Sequence, residues 1–428
     1  MDATVTVLIT ATLFVWGLVS KRLERAELTG PIVFVLVGAS LAWAGLAQGP
    51  TRPEHLTPLV EIALVWVLFS DAARLPLRQM RRDLSRYVRL LAIGLPLTLL
   101  LGWVVAAWFF PHIGIWLALF VGAALAPTDA ALGVQVVTDP EVPARIRQLI
   151  TVESGLNDGI VTPVVMLAIA GAATAAGIEH AASPRHPLAQ LLVGAVIGSL
   201  VGAAGGWSLR WGRRHGIADE DFAGIAVVAL TVLTYAAAVA LGSNGFVAAF
   251  CGGLAFGACA GRRAPAELLF LEQMGTLVSL LVWLAFGAIA VPVMVQRIDV
   301  TTVVYAIASL TVLRMLPVAL ALTGAGLSWR TILFVGWFGP RGLASLVFAL
   351  LALEALGSGA DEAIAIVAAT ILLSVALHGA SAAPLAQRFG KAAATAGSDP
   401  EIPHLDVAPA DTRAHRPPGR WWRAGWLR

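Results

Sequence analysis

The stretch Thr151-Val-Glu-Ser-Gly-Leu-Asn-Asp-Gly159 places two carboxylates, an amide and a hydroxyl inside a segment that is otherwise apolar. Ionisable side chains at bilayer depth are costly and by default mark function. At helical spacing, Glu153 and Asn157 are i,i+4 neighbours on one face, while Ser154 and Asp158 share the adjacent one. Two oxygen-bearing stripes result, one of which could hold a small cation. A hard cation wants oxygen ligands, by the logic that governs calcium and magnesium sites. A carboxylate in a partly dehydrated site can also exchange a proton near neutral pH. Cation and proton would then compete for one group.

The elements that position these residues must lie in a membrane. The chain has 428 residues, is 58% hydrophobic and only 13% charged, and has a mean hydropathy of +0.82, whereas soluble domains are about a quarter charged. An all-α polytopic membrane protein is the expected class. Cys251 and Cys259 fall in one apolar segment and read as small packing residues, not as a disulfide or metal framework. Lysine occurs only at Lys21 and Lys391 against 27 arginines, a bias that, with the Ala and Gly richness, suggests a GC-rich bacterial genome and a bacterial inner membrane. No positive n-region precedes the first apolar run, so a cleaved signal peptide is not expected.

Apolar runs long enough to cross about 30 Å of hydrocarbon give thirteen candidate helices. They cover 4–20, 31–48, 57–73, 88–110, 113–134, 148–176, 187–208, 222–241, 244–260, 267–294, 300–323, 330–353 and 362–386. Connections after odd-numbered helices carry seventeen basic residues, those after even-numbered helices three (Arg52, Arg185, Arg297), and the segment after helix 13 seven. Under the positive-inside rule the N-terminus is outside and the tail cytoplasmic. Two of the 29 basic residues belong to no connection, Arg314 in helix 11 and Arg341 in helix 12. Both are intramembrane cations that need partners. The acids available are Asp129 in helix 5, Glu153 and Asp158 in helix 6, and Asp71 near the inner end of helix 3. Opposite charges thus come from two separated parts of the sequence that the fold should bring together.

Helix 5 is interrupted by Ala126-Pro-Thr-Asp129 and helix 12 by Phe338-Gly-Pro-Arg-Gly342; each proline removes a helical hydrogen bond. With helices 1–6 as one repeat, 8–13 as the other and helix 7 between, both breaks occupy the fifth position, and the repeats start on opposite sides. Paired interrupted helices in two inverted halves point to a transport site at mid-membrane. Crossed half-helices bring positive N-terminal and negative C-terminal ends together. Asp129 is expected to neutralise the former and Arg341 the latter.

At these residues the chain resembles the monovalent cation:proton antiporter family that includes the sodium/proton exchangers, in its Asn-Asp branch. The resemblance rests on Thr128-Asp129, Glu153-Ser-Gly-Leu-Asn-Asp158, the lone Arg314, Gly339-Pro-Arg-Gly342 and His378-Gly-Ala-Ser381, in that order over roughly residues 5–390. It implies that Asp158 alternately binds cation and proton, that Ser154 and the Thr128 carbonyl contribute ligands to a sodium ion, and that Glu153 and Arg314 form a structural ion pair. Asn157, in place of a second Asp, goes with electroneutral exchange. A homodimer is implied, with a mobile core of helices 4–6 and 11–13 against a dimerisation scaffold of helices 1–3 and 7–10. The sequence departs from many relatives in placing Pro127 before Thr128-Asp129 and not after. Asp71 is the only candidate for the acid that such relatives carry late in helix 3, the alternative being a carboxylate at the membrane boundary.

Together these readings give a transmembrane antiporter domain over 1–386 and a cytoplasmic tail over 387–428. Most of that tail is expected to be disordered, with Trp421, Trp422 and Trp426 among arginines as a membrane-surface segment. Sodium/proton exchange at Asp158 is the leading expectation, with potassium/proton exchange on the same mechanism and a non-transporting sensor or channel as alternatives. No cofactor is expected, nor is an enzyme: an intramembrane aspartyl protease would want a Gly-x-Gly-Asp context that is missing. His378 is read as a packing or hydrogen-bonding residue ahead of a pH-sensing one. Pairing of Glu153 with Arg314 makes a prediction of its own. Either single reversal should lose folded protein, and Glu153→Arg combined with Arg314→Glu should recover part of it in a membrane-fraction assay; no recovery would argue against contact.

Overall fold

The computed structural model describes residues 3–24, 28–46, 57–75, 83–178, 187–261 and 265–396. In chain order the helices are α1 (Ala3–Glu24), α2 (Gly30–Trp43), α3 (Thr57–Arg74), α4 (Leu84–Phe109), α5 in two pieces (Gly114–Ala124 and Val134–Thr138) and α6 (Ala144–Ala175). There follow α7 (Pro187–Arg214), α8 (Glu220–Ala240), α9 (Gly245–Cys259), α10 (Pro265–Arg297), α11 (Val300–Leu322), α12 in two pieces (Trp329–Trp337 and Leu343–Leu356) and α13 (Asp361–Ala396). No strand occurs among the described residues. Among the described residues, eight helical runs are long and apolar enough to cross a membrane by length and composition. Arg25, Arg52, Arg78, Arg81, Arg82, Arg185, Arg262, Arg263 and the tail tryptophans lie outside the described residues.

Several helices run past their apolar limits. Arg210, Arg213 and Arg214 belong to the end of α7, and α13 continues through Pro384 to Ala396. Residues 387–396, expected in the tail, are therefore helical. Hydropathy stops at the first charge, but a helix does not, because long basic side chains carry their charge to water while their stems stay on the apolar surface. α4 contains a π-helical turn at Leu90–Gly94. α11 is interrupted at Thr311, whose hydroxyl bonds back to the Ile307 carbonyl at 2.6 Å, a pattern that bends helices.

Packing places α2 against α10, α9 against both α7 and α3, α5 between α4 and α6, and α11 against α4 and α13. Without water to drive association, membrane helices gain most from close approach at small residues. On α7, Gly194, Gly198, Gly202 and Gly206 recur every fourth residue and face Asn244, which caps α9, and Ala248, Gly252 and Phe256 within it. A Cβ at Gly198 would lie 2.1 Å from the Ala248 carbonyl oxygen, and one at Gly202 equally close to that of Gly252. At one end of the molecule, Asp83, just ahead of α4, accepts from Arg145 of α6 at 2.9 Å and is also paired with Arg86. Burial by itself would raise the Asp83 carboxyl, but the Arg145 and Arg86 guanidinium groups outweigh it and hold it below the ordinary carboxylate range. That stabilisation is complete above the ordinary range and is lost as pH falls through the depressed value. Arg86 and Arg89 then donate to the carbonyls of Ala325 at 3.0 Å and Thr323 at 2.6 Å, placing cations at the negative end of α11.

Gly198→Leu or Gly202→Leu should lower the thermal stability of the detergent-solubilised protein, by about 1–3 kcal/mol or more for overpacking at a backbone contact. Gly17→Leu, where an added Cβ meets nothing within 4 Å, serves as the control and should leave the midpoint unchanged. Equal effects at all three positions would argue against a close α7–α9 contact.

Candidate functional site

The two interruptions meet. The first piece of α5 ends at Ala124 and that of α12 at Trp337, and both chains then run non-helical for several residues. Asp129 donates its backbone N–H to the Pro340 carbonyl at 2.8 Å, and its Oδ2 accepts from the Leu343 N–H at 3.1 Å, at the start of the second piece of α12. Arg341, fully buried, reaches back to the end of the first piece of α5. Its Nη1 donates to the carbonyls of Ala126 at 2.9 Å and Pro127 at 3.0 Å. Each broken helix thus receives the charge it needs from the other: an anion at exposed amides, a cation at exposed carbonyls.

This crossing is tight enough to dictate glycine at two positions. A Cβ at Gly342 would fall 2.0 Å from Asp129 Oδ2, and one at Gly339 would fall 2.6 Å from Arg314 Nε and 2.9 Å from Thr128 Cγ2. The sequence reading took both as parts of a break; the structure makes them the space into which Asp129 and Arg314 fit.

Beside the crossing, Arg314 Nη1 of α11 lies 2.6 Å from Glu153 Oε1 of α6, with both residues at most 2% exposed. The guanidinium nitrogens of Arg314 have no further hydrogen-bond partner among the described residues. Coulomb attraction depends on separation first, which makes this an ion pair held by proximity. Arg341 is close enough to interact with both members.

One turn of α6 further on, the polar side chains converge on Thr128 of the α5 break. Asn157 Nδ2 donates to Thr128 Oγ1 at 2.8 Å, and Thr128 Oγ1 lies 3.1 Å from Ser154 Oγ. Thr128, Ser154, Asn157 and Asp158 are all buried. The two stripes expected on α6 are therefore not separate, since the Thr128 hydroxyl touches one residue from each. Asn157 has a second task besides carrying no charge: it fixes Thr128, while its own Oδ1 finds no hydrogen-bond partner among the described residues. The expectation from family resemblance concerned the Thr128 carbonyl, and the contacts seen are those of its hydroxyl.

Asp158 is 8% exposed, and the charged groups that bear on it are the carboxylates of Asp129 and Asp71. Asp71, half-buried on α3, faces α6 at Gly155, where an added Cβ would be 3.9 Å from its own. The structure thus brings Asp71, Thr128, Ser154, Asn157 and Asp158 to one place, with Glu153, Arg314, Asp129 and Arg341 alongside. Sequence reasoning did not single out Ser374 of α13, whose Oγ accepts the Arg341 backbone N–H at 2.8 Å. Its one-turn spacing from His378 on an apolar helix was the available signal.

Residues 8–388 match the family model for the transmembrane domain of sodium/hydrogen exchangers. The chain is 28% identical over 360 residues to the K(+)/H(+) antiporter NhaP of Alkalimonas amylolytica, covering 81% of this chain and 60% of that one. It is 26% identical over 325 residues to a probable Na(+)/H(+) antiporter of Schizosaccharomyces pombe, covering 69% and 41%. The chain spans about half the length of the curated relatives it matches. In fold it is similar to the sodium proton antiporter MjNhaP1 of Methanocaldococcus jannaschii, with a TM-score of 0.72 and 19% identity over 91% of this chain and 100% of the other. By its match over most of its length, this chain belongs to the sodium/hydrogen exchanger family.

Proposed function

We propose that the chain exchanges a monovalent cation for a proton across a cell membrane, one for one and electroneutrally, by competition of the two at Asp158. The observation that carries this reading is a buried carboxylate one helical turn from Ser154, whose hydroxyl meets that of Thr128; its charged neighbours are other carboxylates, while both buried arginines are engaged elsewhere. An acidic, oxygen-lined site attracts a cation or a proton and is unfavourable when empty. Loss of one favours arrival of the other, which couples their movements. Asn157 has no proton to lose, so one group changes charge per cycle.

Ser154 and Thr128 serve as neutral cation ligands, Asp71 as a second carboxylate, and Glu153, Arg314, Asp129 and Arg341 as fixed charges that shape the site. Sodium is the first candidate. Potassium is the second reading, favoured by the K(+)/H(+) antiporters among the relatives. α4–α6 and α11–α13 form the moving core, and α1–α3 with α7–α10 form the scaffold and homodimer face. The membrane is the bacterial inner membrane, with the N-terminus outside. The charge counts between apolar runs support that orientation.

In proteoliposomes loaded at one pH and diluted into another, Asp158→Asn should reduce cation-dependent proton release to the protein-free background, for sodium and potassium alike. Persistent proton-coupled exchange in that variant would overturn the assignment of Asp158. For the native chain, turnover driven by membrane potential alone would overturn the one-for-one stoichiometry, and flux without proton coupling would favour a channel.

A further inference from the structure

The break in α12 removes a specific hydrogen bond. In a continuous helix the Arg341 N–H would donate to the carbonyl four residues back, that of Trp337. Instead, the Arg341 N–H donates to Ser374 Oγ at 2.8 Å, Ser374 Oγ lies 3.1 Å from His378 Nδ1, and His378 Nε2 lies 2.9 Å from the Trp337 carbonyl oxygen. The separated donor and acceptor are thus rejoined through two side chains of α13, both at most 1% exposed. Ser381, two turns along the same helix from Ser374, accepts from the Trp337 indole at 3.0 Å, and the Trp337 ring lies over that of His378 with centroids 5.1 Å apart.

Proton counting fixes the direction of this chain. The Trp337 carbonyl can only accept, so the ring nitrogen that meets it, His378 Nε2, must carry a proton. In a neutral ring that leaves Nδ1 unprotonated, free to accept the Ser374 hydroxyl proton, while Ser374 Oγ accepts the Arg341 N–H. The opposite tautomer would direct Nδ1–H at the Ser374 carbonyl, 2.9 Å away, and turn a ring lone pair toward the Trp337 carbonyl. A doubly protonated ring would take from the Ser374 hydroxyl the acceptor that Nδ1 offers it and add a buried cation beside Arg341 and Arg314, the charged groups that bear on it.

We infer that Ser374 and His378 form a proton-ordered relay that substitutes for the missing hydrogen bond of α12 and acts as a positioning pair for the exchange site, with the imidazole held as its Nε2–H tautomer. The inference rests on the reading of this site as the exchange site. The relay touches neither cation nor Asp158. It acts through Arg341, whose side chain holds the carbonyls on either side of the Ala126–Pro127 bond next to Thr128.

The full chain with ¹⁵N-labelled histidine tests the relay without any transport. Ring nitrogen shifts should report a neutral Nε2–H ring for His378 from about pH 6 to 8, the range in which an ordinary histidine titrates. An imidazolium or an Nδ1–H ring there would overturn the proposal. In proteoliposomes, His378→Ala and Ser374→Ala should raise the apparent KM for sodium about tenfold, the scale of one buried polar group left unpaired. His378→Gln, which can accept from Ser374 and donate to Trp337, should restore most of that loss with the native pH profile. Equal impairment by Gln and Ala, or a pH profile shifted by Gln, would overturn it. Absence of exchange in the native chain would sink the function proposed above and leave the relay to be judged on the ring nitrogens.

Discussion

Two helices that stop inside a membrane expose amide and carbonyl ends where no water can meet them, and nearly everything near Asp158 follows from how those ends are satisfied. Unpaired backbone groups in hydrocarbon cost several kcal/mol each. Here the Leu343 amide meets the Asp129 carboxylate, and the Ala126 and Pro127 carbonyls meet the Arg341 guanidinium. The arrangement is reciprocal, so neither break can be satisfied without the other. It also requires the two chains to touch, which is why Gly339 and Gly342 have no room for a side chain. A backbone hydrogen bond from Asp129 to the Pro340 carbonyl completes the contact.

Once those ends are answered, the remaining charges divide cleanly. Arg314 is held against Glu153, and breaking a buried pair of this kind costs about 3–5 kcal/mol because it leaves one charge alone. Asp158 has other carboxylates as its charged neighbours. A site with the opposite allocation, an arginine against Asp158 and none against Glu153, would have the same composition and no reason to attract a cation. The Asn157–Thr128–Ser154 hydrogen bonds tie α6 directly to the α5 break. Any movement of the break therefore reaches Ser154 and Asn157 on the helix that carries Asp158.

The membrane class, the two breaks and the buried charges were legible in the sequence because each violates a strong rule. Prolines interrupt apolar runs at Pro127 and Pro340, and Arg314 and Arg341 remain after every basic residue has been assigned to a connection. The reciprocity of Asp129 and Arg341 was legible in sign but not in detail, since spacing along one chain does not say which atoms of another helix it will meet. For the same reason the Thr128 hydroxyl, the Ser374–His378 contacts and the need for Gly339 and Gly342 did not show. Helix ends were missed where charged residues continue a helix into water, as at Arg210, Arg213 and Arg214 and beyond residue 386. The turn of π-helix at Leu90–Gly94 and the interruption at Thr311 leave no mark in hydropathy.

Glycine distribution carries the argument from site to motion. Within the scaffold proposed above, missing side chains let backbones touch: Gly198 and Gly202 of α7 against α9, Gly38 and Gly287 between α2 and α10, and Gly253 and Gly257 of α9 against α3, each with a carbonyl oxygen under 3 Å from where a Cβ would be. Gly122 of α5 meets the α4 backbone in the same way inside the proposed core. Between the two groups, contacts at α6 are of another kind. Gly159 faces the Phe250 ring of α9, and Gly155 faces Asp71 of α3 at ordinary van der Waals distance. Backbone-to-backbone seams fit in one register only, because any slide drives a carbonyl into a Cα. The Phe250 ring and the Leu75 side chain, which is the nearest neighbour of Gly155, can change rotamer, whereas a backbone carbonyl cannot. Under the division proposed above, α6 would thus meet the scaffold through side chains on the face that carries Ser154, Asp158 and the Asp71 contact, where the proposal places the exchange.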